Sequence, residues 1–354
     1  MLSRGNLCRC TGYRPIIEGF RTFTEEWEQQ RAANGLQNGS CGMGDKCCKN
    51  GGANNQGCGQ VNGYTNGSDI VEDSLFNPEE FVPYDPSQEP IFPSELQISG
   101  ALDSQFLTIQ GPRVTWYRPT KLSELLELKA KFPSAKLVNG NTEIGVEVKF
   151  KNCLYPVIIQ PSLIPELTQV LSTEEGLRVG ASTTLSVLED KLKDLISSLP
   201  EYQTQVFQAI VEMLHWFAGK QIRNVAAIGG NIMTGSPISD LNPIFMAAKC
   251  QLELMSQGGK RTVLLDGNFW TGYRRNIVQP DEILLAIHIP YTNQDQYFAA
   301  YKQAKRRDDD IAIVNAAFNL TLGDNSSVSE IEMAFGGMAP TTVMAPKTSA
   351  ALQK

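Results

Sequence analysis

The nine residues LVNGNTEIG, at positions 137–145, join the end of an apolar strand to a tight turn made largely of glycine and asparagine. The strand pattern begins two residues earlier, in the run AKLVN at 135–139. A turn of this kind can point several backbone N–H groups into one concave surface, where they bind an anion without any lysine. The stretch therefore predicts a strand-to-turn junction, with a pyrophosphate group as the candidate ligand.

A second glycine-rich stretch, AIGGNI at 227–232, offers similar resources. Its glycines allow close backbone approach, Thr234 and Ser236 supply hydroxyls for phosphate oxygens, and Asp240 supplies a carboxylate for a sugar hydroxyl. Neither stretch contains the GxGxxG or P-loop pattern, so neither alone specifies a nucleotide. Two ordinary loops are the alternative interpretation.

Strand and helix patterns alternate around these stretches and predict an α+β fold. Strand patterns lie at 105–111, 113–119, 135–139, 156–160, 177–182, 250–256, 261–266, 282–290, 297–304, 312–322 and 330–337. Helical patterns lie at 122–132, 184–199, 203–218 and 244–249, so that helices flank the glycine-rich stretch 229–243. We expect the main fold to begin near residue 105, and a separate antiparallel unit to begin near residue 295.

The overall composition excludes some classes of protein. The 354 residues include 31 Lys and Arg against 38 Asp and Glu, a net charge of −7, which argues against a nucleic-acid binder that works through a general basic field. Hydrophobic residues make up 42% of the chain, enough for an ordinary buried core. We find no apolar run long enough for a membrane span and no apolar signal core at the N-terminus, so we expect a soluble intracellular protein.

The first hundred residues differ in composition from the rest. The spacing of Ile16, Phe20, Phe23 and Trp27 predicts an amphipathic helix over 15–29. Between residues 34 and 67, 17 of 34 residues are Gly or Asn, which leaves almost nothing apolar to bury and predicts a flexible linker. Five prolines between residues 68 and 100 predict an extended strap.

Cysteine is concentrated in the same region. Six of the eight cysteines lie within the first 58 residues: Cys8, Cys10, Cys41, Cys47, Cys48 and Cys58. Clustered thiols without a signal peptide favour metal ligation or a cysteine-bearing linker over a disulfide scaffold. The last four have poor spacing for zinc, because adjacent Cys47 and Cys48 cannot easily both face one tetrahedral ion. The pair Cys8 and Cys10 can place two thiolates on one iron of a [2Fe-2S] cluster.

Taken together, these segments resemble the xanthine dehydrogenase and aldehyde oxidase family. The resemblance is carried by FAGKQIRNVAAIGGNI and SPISDLNP between Phe217 and Pro243, LFNPEEFVPYDPSQEPIFPSEL at 75–96, NLCRCTGYRPI at 6–16, KQAKRRDDDIAIVNAA from Lys302, and FGGMAPTTV from Phe335. It covers nearly the whole chain except the 34–67 tract. The RRDDDIA stretch resembles the xanthine dehydrogenases more than the aldehyde oxidases.

The resemblance implies an FAD-binding domain of the xanthine dehydrogenase (PCMH) type. FAD contacts would fall on Leu137, Val138, Asn139, Gly140, Asn141, Thr142, Glu143, Ile144, Phe217, Ala227, Ile228, Gly229, Gly230, Asn231, Asp240, Leu284 and Lys302. Phe217, Leu284 and Lys302 rest on the resemblance alone. Tyr273 resembles a residue beside the nicotinamide site, and Arg306 to Asp310 would lie near the flavin, although a solvated loop is the alternative for this run.

The resemblance also implies a division of the chain. Residues 1–33 would be the end of a [2Fe-2S] domain, with Cys8 and Cys10 as two of its four cluster ligands. Residues 34–104 would be the linker and strap, residues 105–294 the FAD-binding domain, and residues 295–354 the truncated start of a flavoprotein C-terminal domain. Met1 is then expected to be an internal residue of a longer protein, with the molybdopterin domain also outside this chain.

The implied function is that of a flavin module in purine catabolism. A molybdopterin centre would hydroxylate hypoxanthine or xanthine, and electrons would pass through iron-sulfur clusters to FAD and then to NAD or oxygen. We expect no catalytic residues for purine hydroxylation in this chain, a homodimeric whole protein, and a location in the cytoplasm and also in peroxisomes. The alternatives are an aldehyde oxidase-like module that uses oxygen only and a flavin-free interaction fragment.

Overall fold

The computed structural model describes Ser87, Gly100, residues 103–307, residues 309–324 and residues 327–353. The predicted helix at 15–29, the Gly and Asn tract, most of the strap, Cys8 and Cys10 all lie outside the described residues. The described residues from Gly100 onward belong to one compact unit. None of the helices in this part of the chain is long and apolar enough to cross a membrane.

A small mixed sheet with strand order β1-β2-β4-β3 opens this unit. Its strands are β1 (Leu107–Gln110), β2 (Thr115–Arg118), β3 (Lys136–Leu137) and β4 (Val157–Ile159). Strands β1 and β2 form a hairpin, whereas β4 runs parallel to both β2 and β3. Helix α1 (Leu122–Lys131) precedes β3, and helix α2 (Ile144–Phe150) follows it. Fully buried Leu125 of α1 and Ile159 of β4 share one core cluster.

A five-stranded antiparallel sheet follows, with strand order β5-β6-β11-β7-β8. Its strands are β5 (Val170–Ser172), β6 (Gly176–Gly180), β7 (Gln251–Ser256), β8 (Gly259–Leu264) and β11 (Ile283–Pro290), and β9 (Trp270–Gly272) pairs with β10 (Arg275–Asn276) in a separate hairpin. Helix α3 (Pro165–Thr168) precedes β5. Between β6 and β7 lie α4 (Leu185–Ser198), a 3-10 turn (Glu201–Gln203), α5 (Gln205–His215), α6 (Lys220–Arg223), α7 (Ile228–Thr234) and α8 (Asn242–Ala247).

The last strands form a third sheet, antiparallel and in sequence order. They are β12 (Gln296–Ala304), β13 (Ala312–Leu322), β14 (Val328–Gly336) and β15 (Val343–Met344), followed by helix α9 (Pro346–Leu352). The strand patterns at 297–304, 312–322 and 330–337 therefore locate this sheet. Its core is not separate, because Phe298, Ala317 and Ala334 belong to the same buried cluster as Leu185, Phe207 and the other residues that pack between α4, α5 and the five-stranded sheet.

The α+β prediction is confirmed, but two elements differ from the sequence pattern. Gly229 and Gly230 lie inside helix α7 rather than in a loop between helices. Gly229 is buried there, and a Cβ on it would lie 2.6 Å from the carbonyl oxygen of Ala181, which directly follows β6. Packing of α7 against this loop therefore requires glycine, despite the low helix propensity of glycine. Helix α2 was not expected, because Ile144, Val146 and Val148 alternate as they would in a strand.

Candidate functional site

The first glycine-rich stretch forms an open turn between β3 and α2. Leu137 ends the strand, and the buried Val138 donates its N–H to the Ile159 carbonyl across 2.9 Å. Asn141 takes a left-handed conformation with φ of 57°, which asparagine tolerates better than most residues. From Asn139 to Ile144, no backbone N–H is hydrogen-bonded to a carbonyl of the described residues. These N–H groups are therefore left without a protein carbonyl partner in this part of the chain, and their binding of an anion stays a prediction.

The second stretch forms the first turn of α7, but it has fewer free donors than its glycines suggest. Ala227 precedes the helix, and the Ile228 and Gly229 N–H groups already bond to the carbonyls of Thr183 and Ala181. The Gly230 N–H has no such partner within the described part of the chain. A Cβ on Gly230 would meet no atom within 4 Å, so the helix opens onto free space at this residue.

The two stretches lie against each other. An ideal Cβ on Gly140 would lie 1.9 Å from the Val225 carbonyl oxygen, so only glycine lets the first turn pack this closely on the chain that enters α7. The Asn139 side-chain amide donates to the Ser182 carbonyl across 3.1 Å, which ties the same turn to the loop after β6. The buried Oδ1 of Asn139 has no partner among the described residues. The first turn, the loop after β6 and the chain that enters α7 therefore meet at one junction.

Asp240 and Lys302 form a buried ion pair, and the residue before Asp240, Ser239, donates its hydroxyl to Asn231 of α7. The Lys302 ammonium donates to Asp240 Oδ2 at 2.7 Å and to the Trp216 carbonyl at 2.9 Å, and both side chains are less than a tenth exposed. Burial raises the pKa of Asp240, and the Lys302 charge opposes this effect. The structure thus brings together two predicted site residues that are 62 positions apart in sequence.

Phe217 and Leu284 are packing residues in the described structure. Leu284 is 5% exposed on β11, next to a register shift in its pairing with β7. Phe217 is partly buried against the same core, and its carbonyl accepts a hydrogen bond from the Arg223 guanidinium at 2.7 Å. Their role as FAD contacts stays a prediction.

One residue at the site has no signal in the sequence pattern. Arg274 lies in the turn between β9 and β10 with φ of 55°, and its guanidinium pairs with Glu143 of the first turn and lies 3.7 Å from Glu147 of α2. Tyr273, beside it, is 61% exposed. The ion pair fixes the position of Glu143, and only the tertiary structure reveals it, because the partners are 131 residues apart.

The charged run near residue 306 lies close to the Lys302 end of the site. Arg307 stacks over the Trp216 ring at 5.1 Å from its centroid, and the Arg306 side chain donates to the Asp309 carbonyl at 2.9 Å. Desolvation raises the pKa of Asp310, but hydrogen bonds from the Ile311 and Arg306 backbone N–H groups and from the Arg306 side chain outweigh it and lower the pKa. A cavity of about 440 Å³ lies between Trp216 and residues 300–307. Asp308 is outside the described residues.

A dinucleotide fits this arrangement better than a metal ion does. The unpartnered N–H groups of the 139–144 turn and of Gly230 suit pyrophosphate oxygens, and the orphaned Asn139 Oδ1 suits a hydroxyl or amino donor. No group of three or more His, Cys, Asp or Glu side chains in the described ranges could hold a metal ion.

Comparisons with known proteins agree with this geometry. Residues 110–292 match the model of the FAD binding domain in molybdopterin dehydrogenase, and residues 299–354 match the CO dehydrogenase flavoprotein C-terminal domain. A xanthine dehydrogenase of Drosophila pseudoobscura pseudoobscura is 55% identical over 99% of this chain and 25% of its own length. A human aldehyde oxidase is 39% identical over 96% of the chain and 24% of its own length.

Solved structures also include proteins of similar fold. A carbon monoxide dehydrogenase from Hydrogenophaga pseudoflava, which lacks the Mo-pyranopterin moiety of its cofactor, is similar with a TM-score of 0.60 and 26% identity over 69% of this chain and 82% of its own. The chain spans about a quarter of the length of the curated relatives it matches. Since the first family model covers just over half of the residues, this chain belongs to the family of FAD-binding domains in molybdopterin dehydrogenases.

Proposed function

We propose that this chain is the flavin module of a xanthine dehydrogenase or oxidase. In the whole protein it would relay electrons from the hydroxylation of hypoxanthine or xanthine, through iron-sulfur clusters, to FAD and on to NAD or oxygen. The higher identity to a xanthine dehydrogenase than to an aldehyde oxidase supports this assignment. The observation that carries the flavin part of the proposal is the 139–144 turn, whose N–H groups are left without carbonyl partners among the described residues.

The residues that would hold FAD are those that the sequence predicts. The turn from Asn139 to Ile144 and the Gly230 N–H would bind the pyrophosphate, because backbone donors and an open helix end suit its negative charge. Asp240, fixed by Lys302, would accept a hydrogen bond from a hydroxyl of the cofactor. Bound FAD supplies the exchange of electrons between one-electron donors and a hydride or oxygen acceptor.

The remaining parts of the proposal concern the whole protein. Cys8 and Cys10 would supply two of the four ligands of a [2Fe-2S] cluster, and molybdopterin would belong to a domain beyond this chain. We place the domain boundaries after residues 33, 104 and 294. The family resemblance supports a homodimer located in the cytoplasm and in peroxisomes.

The test is anaerobic reduction of the FAD-loaded chain by NADH. We expect NADH to bleach the visible absorbance of the flavin, because hydride transfer between nicotinamide and flavin needs only the flavin module. Reduction by dithionite serves as the control that the bound flavin is reducible. Bound flavin that dithionite bleaches and NADH does not would favour the aldehyde oxidase-like alternative, and a chain that binds no FAD would favour the flavin-free interaction fragment.

A further inference from the structure

Strand β13 carries two buried asparagines on the face that packs against the helices. Asn315 is 2% exposed and Asn319 is 7% exposed. Each donates its side-chain amide to a main-chain carbonyl outside the sheet: Asn315 to Ser239 at 2.8 Å, and Asn319 to Ala247 at 2.9 Å. Buried amides need such partners, so both contacts join the third sheet to the segment around α8.

The two contacts hold different segments of the chain. Asn319 holds the end of α8, and its own Oδ1 accepts a hydrogen bond from Gln296 at 2.7 Å. Asn315 instead holds the loop between α7 and α8, at Ser239, whose hydroxyl donates to Asn231 Oδ1 at 2.7 Å. Asn231 belongs to the second glycine-rich stretch, and the residue after Ser239 is Asp240. One hydrogen bond and one peptide bond therefore join Asn315 to Asp240, and two successive hydrogen bonds join it to Asn231, and both of these residues are predicted FAD contacts.

The third sheet holds this loop tightly. The Gly337 N–H donates to the Pro237 carbonyl at 2.8 Å, two residues before Ser239. A Cβ on Gly336 would lie 1.9 Å from Asn315 Oδ1, so the asparagine fills the space between β14 and the loop. Its Oδ1 has no hydrogen-bond partner among the described residues, although the side chain is buried. Because Gly336 lies against its side chain, Asn315 has little room to rotate away from Ser239.

We propose that Asn315 is a positioning residue for FAD: it holds Ser239 and Asp240 in place, and through Ser239 it orients Asn231. This inference rests on the proposed function, since it assumes that the 227–231 and 240 positions contact FAD. It adds a residue from the segment that matches the flavoprotein C-terminal domain, outside the match to the FAD-binding domain. Asn315 would then be the second residue of the third sheet, after Lys302, to take part in cofactor binding.

The test compares Asn315→Asp with the matched control Asn319→Asp. Both changes keep the side-chain shape and replace a buried amide donor to a carbonyl with a carboxylate. We expect Asn315→Asp to raise the Kd for FAD at least tenfold in calorimetric titration and to change the visible circular dichroism of the flavin that remains bound. Asn319→Asp should change the Kd no more than about twofold, even where the two apo proteins lose similar thermal stability.

A second pair of variants separates positioning from general loss of folding. Ser239→Ala removes the hydroxyl that reaches Asn231 and leaves Asn315 intact. We expect the effects of Ser239→Ala and Asn315→Asp on the FAD Kd to be less than additive in the double variant, because the two residues act in series. Additive effects, equal Kd changes in the Asn315 and Asn319 variants, or a wild-type Kd in Asn315→Asp would overturn the inference. A wild-type chain without FAD affinity would instead overturn the proposed function itself.

Discussion

At the scale of single residues, the chain contains a buried carboxylate whose charge depends on its neighbours. Glu253 of β7 is 4% exposed and accepts hydrogen bonds from the Arg178 guanidinium at 3.0 and 3.1 Å and from His288 at 2.5 Å. Lys260 lies 3.5 Å away. Burial alone would raise the pKa of Glu253, but Arg178 and His288 outweigh it and lower the pKa to about 2.

This cluster predicts an acid-dependent loss of stability. A pKa lowered from 4.5 to about 2 contributes about 3 kcal/mol to the free energy of unfolding. This contribution is present above pH 4.5 and is lost as the pH falls towards 2. We expect the free energy of unfolding, measured with urea, to fall more steeply between pH 5 and pH 3 in the wild type than in Glu253→Gln. The exposed variant Glu166→Gln should keep the wild-type slope. Identical slopes in all three proteins would mean that Glu253 is not paired as described.

At the scale of elements, the two glycines at the start of α7 have different roles. A Cβ on Gly229 collides with Ala181, whereas a Cβ on Gly230 meets open space. In the sequence the two positions are equivalent, because both belong to one glycine pair. The structure separates a glycine needed for helix packing from a glycine that faces the predicted ligand.

Valine substitutions distinguish these roles. Gly229→Val should lower the thermal midpoint of the apo protein and reduce FAD binding as a consequence. Gly230→Val should keep a near-wild-type midpoint and raise the Kd for FAD at least tenfold, about 1.4 kcal/mol, because its side chain occupies the space of the cofactor. Cys8→Ser, in a region distant in sequence, is the control and should change neither quantity. An unchanged Kd in Gly230→Val would remove α7 from the FAD site.

Local patterns explain why some elements could be predicted and others could not. The run AIVNAAFNLTL coincides with β13, and the periodic leucines at 122–132 and 184–199 locate α1 and α4 within a few residues. Helix α7 was missed because glycine has low helix propensity, and tertiary packing against Ala181 overrides it. The contacts of Arg274 with Glu143 and of Asn315 with Ser239 join distant segments, so no local pattern encodes them.

At the scale of the whole molecule, the predicted FAD site lies where three loops meet, supported by all three sheets. The three loops are the turn after β3 of the first sheet, the loop after β6 of the second sheet and the chain that enters α7, whereas Lys302 of the third sheet pairs with Asp240. The shared core that joins the second and third sheets holds these loops in one arrangement. A preformed site of this kind loses little conformational entropy when a cofactor binds.

Titration of the purified apo chain with FAD tests this account most directly. Calorimetry should give one FAD per chain, and the flavin absorption spectrum should shift and sharpen on binding, since the isoalloxazine ring moves from water into protein. The affinity for FAD should fall with Gly230→Val while the protein stays folded. A folded wild-type chain that binds no FAD would contradict the central claim that these three loops form a flavin site.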